Sequence, residues 1–326
     1  MTEGAGEGRV TLWGIETFLA AAAEGSLSAA ARRLGVSPST VSQQISALEG
    51  ALGTVLFDRA SRPVRLTPEG RMFRRHAQTM LNAAEEARAE LSLAGKPGLR
   101  TLRLGMIEDF EADVTPALLT RLAADLPDCR FLLETGPSHR LIDQLEAGAL
   151  DLVVAADLPG EPVPEPQAAE PRDSHPLLTE PFLAIRPQGS DGMDLPLIRH
   201  SARLLMGRQI EAHLSRLSPP APPTARPGLF ELDSYHAILA LVAEGAGWAI
   251  LPPLALHRAR RFRDRVTVAP LPFAPFGRSL SLSARPGLDR ALRGRIAGHL
   301  RGLIGQEILA PTLEDWPWLK DAMRLA

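Results

Sequence analysis

The chain has 326 residues, 45% of them hydrophobic and 23% charged, which is typical of soluble globular proteins with two or three domains. Its net charge of −2 excludes a polycation that coats nucleic acid indiscriminately, so any DNA contact must be local. The single cysteine, Cys129, excludes an intramolecular disulfide, and we expect no metal and no cofactor. With no signal pattern and no apolar run of about 18 residues, the sequence predicts a cytoplasmic protein without a membrane partner.

The first hundred residues begin with three predicted helices. Leu12–Glu24 and Ser28–Leu34 are the first two, and Gly35 marks the turn after them. Ser37 and Pro38 are an N-cap and a first-turn residue, and they start a third helix. One face of this helix is apolar, at Val41, Ile45, Leu48 and Leu52, and the other carries small polar groups, at Ser39, Ser42, Gln43 and Ser46. Such a polar face suits a major groove, although a solvent-facing helix would have the same spacing.

A basic hairpin follows the third helix. Two short extended segments are predicted around Leu56 to Leu66, with Arg62-Pro63 at the turn. Between Arg59 and Arg75 there are six arginines against one acid, Glu69. This is the layout of a winged helix-turn-helix, so the pattern indicates DNA as the partner.

Thr67 and Pro68 are predicted to cap a long helix that pairs two copies of the chain. Apolar residues recur along it at steps of four and three, which is a heptad seam. The predicted dimer seam is Phe73, Ala77, Met80, Ala84, Ala87 and Leu91. The alternative is that this helix packs against its own domain.

After a Pro- and Gly-containing boundary at residues 94–98, strands and helices alternate, which predicts parallel α/β sheets. A first series has strands at Thr101–Met106, Cys129–Thr135 and Asp151–Ala155 and helices near Val114–Asp125 and Ser138–Ala147. Within it, Cys129 is predicted to be a buried strand residue rather than a redox sensor.

A proline-rich crossover over residues 159–171 leads to a second α/β series. Its elements are strands at Leu177–Arg186, Leu229–Leu232 and Trp248–Leu251 and helices near Arg203–Leu217 and Ser234–Glu244. A strand at Ser279–Ala284 and a helix near Leu288–Ile304 return to the first series. We therefore predict two lobes with a cleft between them: lobe I at about 100–158 and 262–304, and lobe II at about 175–261.

Three ordered stretches of the sequence resemble the LysR-type transcriptional regulators. The most specific covers about sixty residues and includes Ala30-Ala31, Ser37-Pro38-Ser39, Leu48-Glu49, Leu56-Phe57-Asp58-Arg59 and Leu66-Thr67-Pro68-Glu69-Gly70. Two later stretches, at Leu145–Leu152 and Leu241–Pro252, look like that family's effector domain.

The resemblance implies a winged helix-turn-helix over residues 1–66, a dimerising linker helix over 67–95 and a periplasmic-binding-protein-like effector domain over 96–304. It also implies homodimers that pair into tetramers on double-stranded promoter DNA. Ser39, Ser42 and Gln43 are expected to read bases. The full set of expected DNA-binding residues is Ser37, Pro38, Ser39, Thr40, Ser42, Gln43, Arg59, Arg62, Arg65 and Thr67. The tail, residues 305–326, lies beyond the resemblance and is either packed or a partner contact.

The predicted effector cleft departs from the family at one loop. Where a serine or threonine often binds a ligand carboxylate, this chain has Glu108 and Asp109. Two acids repel an anion, so we expect a neutral or cationic effector, unless the loop turns away and the site is unused. The other expected effector residues are Ser138, His200, Ser201 and Ser234. The alternative for Ser138 and Ser234 is that each simply caps its helix, and the alternative for His200 is a solvated loop residue.

These observations predict a ligand-responsive transcriptional regulator. A ligand-independent DNA-binding regulator is a second hypothesis, kept open by the acidic loop. A solute-binding or metabolic protein with an added helical domain is a third. The sequence has no nucleophile–base motif, no glycine-rich phosphate loop and no metal-spaced cluster, so we do not expect an enzyme.

Overall fold

The computed structural model describes residues 9–61, 63–92, 99–157, 174–190, 195–217 and 227–326. The chain forms two compact units, one of Met1–Thr101 with Gln144–Leu150 and the other of Leu102–Asp143 with Asp151–Ala326. Within the described residues, no helix is both long enough and apolar enough to span a membrane. The predicted boundary at residues 94–98, the turn residue Arg62 and the crossover at 159–171 lie outside the described residues.

The first unit is a winged helix-turn-helix followed by a long helix. Its elements are α1 (Leu12–Glu24), α2 (Leu27–Leu34), α3 (Pro38–Leu52), β1 (Phe57–Asp58), β2 (Arg65–Leu66) and α4 (Pro68–Ser92). Thr11, Ser26 and Ser37 cap α1, α2 and α3, and each side chain accepts a hydrogen bond from a backbone N–H of the first turn. Gly35 has φ 68°, so the predicted left-handed turn between α2 and α3 is confirmed.

The core of this unit joins the wing to the helices. Phe18 of α1 packs on Phe57 of β1, with ring centroids 5.3 Å apart, and on Phe73 of α4 at 5.1 Å. The predicted apolar stripe of α3 faces the same core, where Val41 and Ile45 are fully buried. These contacts fix α3 and the wing relative to each other within the unit.

The second unit contains two sheets, with helices packed on them. Its helices are α5 (Val114–Asp125), α6 (Ser138–Glu146), α7 (Leu205–Ser215), α8 (Tyr235–Ala243), α9 (Pro253–Arg258), α10 (Arg290–Ile304) and α11 (Ala310–Asp315). Its strands are β3 (Thr101–Ile107), β4 (Arg130–Gly136), β5 (Leu152–Ala156), β6 (Ser174–Pro181), β7 (Leu183–Pro187), β8 (Leu197–His200), β9 (Pro227–Leu232), β10 (Trp248–Leu251), β11 (Val266–Ala269), β12 (Gly277–Ala284) and β13 (Arg324–Leu325).

The prediction of purely parallel sheets is wrong, because both sheets are mixed. In one, the strand order is β13-β6-β12-β5-β3-β4, with β3 parallel to β5 and β12 antiparallel to both β5 and β6. In the other, the order is β11-β7-β10-β8-β9, with β7 antiparallel to β10 and β11. The antiparallel strands lie where the chain passes from one sheet to the other. At these crossings the chain enters the next sheet antiparallel to a neighbouring strand, whereas a parallel strand would need a longer, usually helical, connection.

One predicted strand is in fact two, and this moves the lobe boundaries. The predicted strand Leu177–Arg186 breaks at Phe182, so that β6 joins the first sheet and β7 the second. The chain returns between β11 and β12, and not at the predicted residue 262. Lobe I therefore contains β6, and lobe II extends through β11.

Residues 305–326 form part of lobe I. A π-helical turn over Gly305–Leu309 leads from α10 into α11, and Leu319 and Met323 are buried. The last strand, β13, pairs antiparallel with β6 and forms the edge of the first sheet. Of the two alternatives for the tail, the structure shows the packed one.

The prediction that Cys129 is a buried strand residue is wrong. Strand β4 begins at Arg130, and Cys129 lies half-buried in the turn before it. Because β4 is an edge strand with several exposed positions, its alternating pattern does not bring residue 129 into the core. Burial raises the pKa of the Cys129 thiol, and the negative charge of Asp151 raises it further.

Candidate functional site

The first unit presents a polar surface at the start of α3. Ser37 caps the helix by accepting a hydrogen bond from the Thr40 N–H at 3.1 Å. Its hydroxyl also lies 2.7 Å from that of Ser39 and 2.8 Å from that of Thr40. Ser37, Pro38, Ser39 and Gln43 are exposed, and Thr40 and Ser42 are half-buried. The predicted base-reading residues therefore lie together on one exposed helix face.

Glu49 holds the wing against this helix, a role that sequence reasoning missed. Its Oε1 accepts hydrogen bonds from the backbone N–H groups of Leu56 at 2.8 Å and Phe57 at 3.3 Å. Its Oε2 pairs with Arg59 at 2.8 Å, and Arg59 also donates to Ser46 at 3.2 Å. The Arg59 side chain remains 48% exposed, so it is oriented by its neighbours and still reachable by a phosphate.

The other predicted wing residues differ in what their side chains do. Arg65 is exposed on β2, and Arg62 lies outside the described residues. The Thr67 hydroxyl donates to the Val55 carbonyl at 2.8 Å and accepts from the Gly70 N–H at 3.0 Å. Thr67 is therefore a helix cap, and because its one proton already goes to the Val55 carbonyl, its hydroxyl has none to donate to a phosphate in this arrangement.

The predicted dimer seam is wrong for its first two positions. Phe73 packs on Phe18 of its own chain, and Ala77 is fully buried in the same core. In this first part of α4 the structure shows the alternative that was left open, a helix packed on its own domain. Further along the helix, Met80 and Ala87 are exposed and Ala84 is half-buried. The side chain of Leu91 lies outside the described residues.

The second unit contains a cavity of about 320 Å³ between its two sheets. Five of the six predicted effector residues line it: Glu108, Asp109, Ser138, His200 and Ser234. The acidic loop has therefore not turned away from the cleft. The remaining lining residues are Ile107, Gly136, Pro137, Ala156, Leu204, Leu205, Met206, Gln209, Asp233, Tyr235, His236, Arg258 and Arg278.

The three predicted serines are all engaged by the protein itself. Ser138 accepts a hydrogen bond from the Ala156 N–H at 3.0 Å, and Ser234 caps α8 by accepting from Ala237 at 3.4 Å. Ser201 is not among the residues that line the cavity, and its hydroxyl donates to Glu231 at 2.9 Å. Ser138 and Ser234 keep a hydroxyl proton that can be donated to a ligand.

A buried arginine, which sequence reasoning missed, compensates the acidic loop. Arg278 of β12 donates to Asp109 at 2.8 Å and to Glu180 at 2.8 Å, and all three side chains are at most 4% exposed. Burial disfavours the charge on Arg278, but the two carboxylates outweigh this and raise its pKa. The other acid of the loop, Glu108, pairs with Arg258 at 3.0 Å on the cavity wall. No local pattern links these pairs, because their partners lie between 98 and 169 residues apart.

His200 is a neutral residue of the cavity wall. Burial lowers its pKa to about 4, so the imidazole carries no charge at neutral pH. Its ring lies 5.4 Å from that of Tyr235, whose pKa is raised by burial. The alternative of a solvated loop histidine is wrong, since His200 is 7% exposed.

The first unit has a helix and a wing suited to binding DNA, and the second has two lobes with a polar cleft between them. These features define a transcriptional regulator with a DNA-binding domain and an effector-binding domain. The comparisons with known proteins agree. Residues 12–71 match the model of the bacterial regulatory helix-turn-helix protein, lysR family, and residues 96–296 match that of the LysR substrate binding domain. The chain belongs to the LysR family of transcriptional regulators.

Curated relatives match over part of the chain. A probable hydrogen peroxide-inducible genes activator from Mycobacterium xenopi is 39% identical over 151 residues, 46% of this chain and 79% of that protein. The HTH-type transcriptional regulator TfdS of Cupriavidus pinatubonensis is 37% identical over 145 residues, 44% of this chain and 49% of that protein. The chain spans about half the length of TfdS, and 48% of the length of a probable hydrogen peroxide-inducible genes activator from Mycobacterium avium.

Solved structures share the fold along nearly the whole chain. A full-length OxyR variant from Pseudomonas aeruginosa superposes with a TM-score of 0.57 at 24% identity, covering 90% of this chain and 95% of that one. Full-length CbnR, solved with its target DNA, gives 0.55 at 20% identity, covering 90% and 99%. At these identities the likeness concerns the fold alone.

Proposed function

We propose that this chain binds promoter DNA as a symmetric homodimer, through α3 in the major groove and the wing arginines on the backbone. The observation that carries the proposal is α3 itself, on which Ser39 and Gln43 are exposed and to which Arg59 of the wing is bound through Ser46 and Glu49. Small hydroxyl and amide groups allow close approach to base edges, and the arginine supplies a phosphate contact. The exposed Met80 and Ala87 support pairing through the later part of α4, with dimers joining into tetramers.

We further propose that a small molecule in the cleft of the second unit changes how the bound dimers sit on the promoter. The cavity has the size of a small-ligand site, and its wall combines apolar side chains with a few polar ones. The protein then acts in the cytoplasm as a regulator and catalyses no reaction, as expected of a relative of transcriptional regulators.

A gel-shift assay on the DNA upstream of the chain's own gene tests the proposal. The double variant Ser39→Ala with Gln43→Ala removes two base contacts, each worth about 1–3 kcal/mol, so we expect affinity to fall at least about tenfold. The variant Gln306→Ala removes an exposed glutamine of the second unit and is the matched control.

Two further measurements make the assay decisive. Destroying one half of a palindromic site should weaken binding far more than changing the sequence between the halves, because a dimer reads both. Raising the salt concentration should weaken all complexes, because arginine contacts release counterions from phosphates. Unchanged affinity of the folded double variant would refute the role of α3, and equal binding to a half-site would refute the symmetric dimer.

A further inference from the structure

The cavity of the second unit borders on a buried ion network in which one oxygen has no donor. Asp109 Oδ2 accepts from Arg278 at 2.8 Å, and Glu180 Oε1 accepts from the same arginine at 2.8 Å. Glu180 Oε2 accepts from the Leu254 N–H at 3.0 Å. The fourth carboxylate oxygen, Asp109 Oδ1, is buried and has no hydrogen-bond partner among the described residues. Asp109 itself is 7% exposed and lines the cavity.

This network has more negative than positive charge. It contains one arginine and two carboxylates, Asp109 and Glu180. Burial raises the pKa of Glu180, but Arg278 and the Leu254 N–H favour its ionised form, and both of its oxygens already accept hydrogen bonds. Because one oxygen accepts from a guanidinium that keeps its charge and the other from a backbone N–H, we assign Glu180 as a carboxylate. The network is then one positive charge short, next to the cavity.

The other arginine on the cavity wall does not supply that charge. Arg258 pairs with Glu108 at 3.0 Å and with Glu111 at 3.6 Å, so its one positive charge already faces two negative ones. Asp233, which also lines the cavity, adds a further acid, and its partner Arg203 lies at 3.5 Å on the exposed surface. The described lining residues therefore have an acidic balance.

The histidines of the wall do not supply the charge either. Burial lowers the pKa of His200 to about 4 and lowers that of His236, so both rings are neutral at pH 7. The rest of the wall includes apolar side chains, among them Ile107, Leu205 and Met206. A ligand that fits this wall has one cationic donor and an apolar body.

We propose that the cleft binds a small primary amine, whose ammonium group donates to Asp109 Oδ1 and whose apolar body lies against the aliphatic wall. This rests on the proposed function of the cleft as the effector site, and it names the class of effector. An ammonium group donates a hydrogen bond to the unpartnered oxygen and also balances the charge of the network. A neutral hydroxyl can only donate the hydrogen bond, and a carboxylate adds further negative charge.

The test compares probes that share a body and differ only in the polar group. Benzylamine, benzyl alcohol and benzoate form one series, and isopentylamine, isopentanol and isovalerate the other. Their dissociation constants for the full-length protein, without DNA, are measured at pH 7 by ligand-detected NMR titration. We expect at least one amine to bind about tenfold more tightly than its carboxylate, with the alcohol between them.

The variant Asp109→Asn keeps the shape and removes the charge, so it should lower amine affinity about tenfold and cancel the advantage of the amine over the alcohol. Asp143→Asn, which changes an exposed carboxylate away from the cavity, is the control and should change nothing. If Asp109→Asn does not fold, the order of the wild-type affinities still decides.

A carboxylate that binds best, equal affinities within both series, or no binding of either amine up to about 10 mM would each overturn the amine assignment. None of these results affects DNA binding by α3, which the gel-shift assay reports separately. A failed gel shift, in turn, leaves the order of the probe affinities unchanged.

Discussion

Replacing Arg278 by methionine should destabilise the second unit by about 3–5 kcal/mol at pH 7, because it removes the cation that two buried carboxylates share. Glu180 is fully buried and Asp109 nearly so, so water from the neighbouring cavity can replace the lost guanidinium only in part. Methionine keeps an unbranched apolar stem of similar length, which limits the loss from packing. The perturbation is therefore mainly electrostatic.

The free energy of unfolding of Arg278→Met should decrease as pH rises. Burial already raises the pKa of Glu180, and without Arg278 the main opposing influence is gone. With a folded-state pKa above the unfolded one, the folded state binds the additional proton, so stability falls as pH rises between the two pKa values. Each such carboxyl changes the unfolding free energy by about 1.4 kcal/mol per pH unit. The variant should therefore be closest to wild type near pH 5 and furthest from it at pH 7.

Urea unfolding of the full chain at pH 5, 6 and 7, followed by near-ultraviolet circular dichroism, measures both effects. Arg258→Met is the matched control, since Arg258 pairs with exposed glutamates, and its loss should cost less than about 1 kcal/mol. Adding Glu180→Gln to Arg278→Met should recover part of the loss by removing one buried charge. A variant as stable as wild type at pH 7, or one whose deficit grows towards pH 5, would refute the reasoning.

Two further predictions concern glycine and cysteine. Gly70→Ala should abolish or severely weaken folding of the first unit, because a Cβ there would lie 2.1 Å from the Leu56 carbonyl oxygen. Gly50→Ala, in open space on α3, should raise the unfolding midpoint slightly, and circular dichroism melts compare the two. Cys129 should react with a disulfide reagent much more slowly at pH 7 than a free thiol and faster as pH rises, because burial and Asp151 raise its pKa. A fast reaction at pH 7 would revive a redox role.

Helix boundaries in this chain could be predicted because their causes are local. The predicted cap Ser37 bonds to the backbone N–H of Thr40, three residues on, and the predicted bounds of α1 and α5 are those of the structure. The break between β6 and β7 could be found only in part in this way. Pro181 interrupts the predicted strand, but whether the two halves stay in one sheet or join different sheets depends on distant strands.

The error in the dimer seam has a related cause. A step of four and three residues shows that α4 has an apolar face, but not which surface covers it. At Phe73 and Ala77 the covering surface is α1 and the wing of the same chain. If two copies pair through α4, as we propose, the pairing face begins later on this helix, where Met80 is exposed.

The acidic loop shows best why residues near each other in sequence do not determine the charge of a site. Taken alone, Glu108 and Asp109 predict a field that repels anions. The structure gives each an arginine from a distant segment, and these two pairs would leave the cleft neutral. The excess negative charge beside Asp109 comes instead from Glu180, which shares Arg278 with Asp109 and lies on β6, a strand that the sequence pattern did not separate from β7. The expectation of a neutral or cationic effector therefore now rests on the one buried arginine shared by two acids, and not on the two adjacent acids that first suggested it.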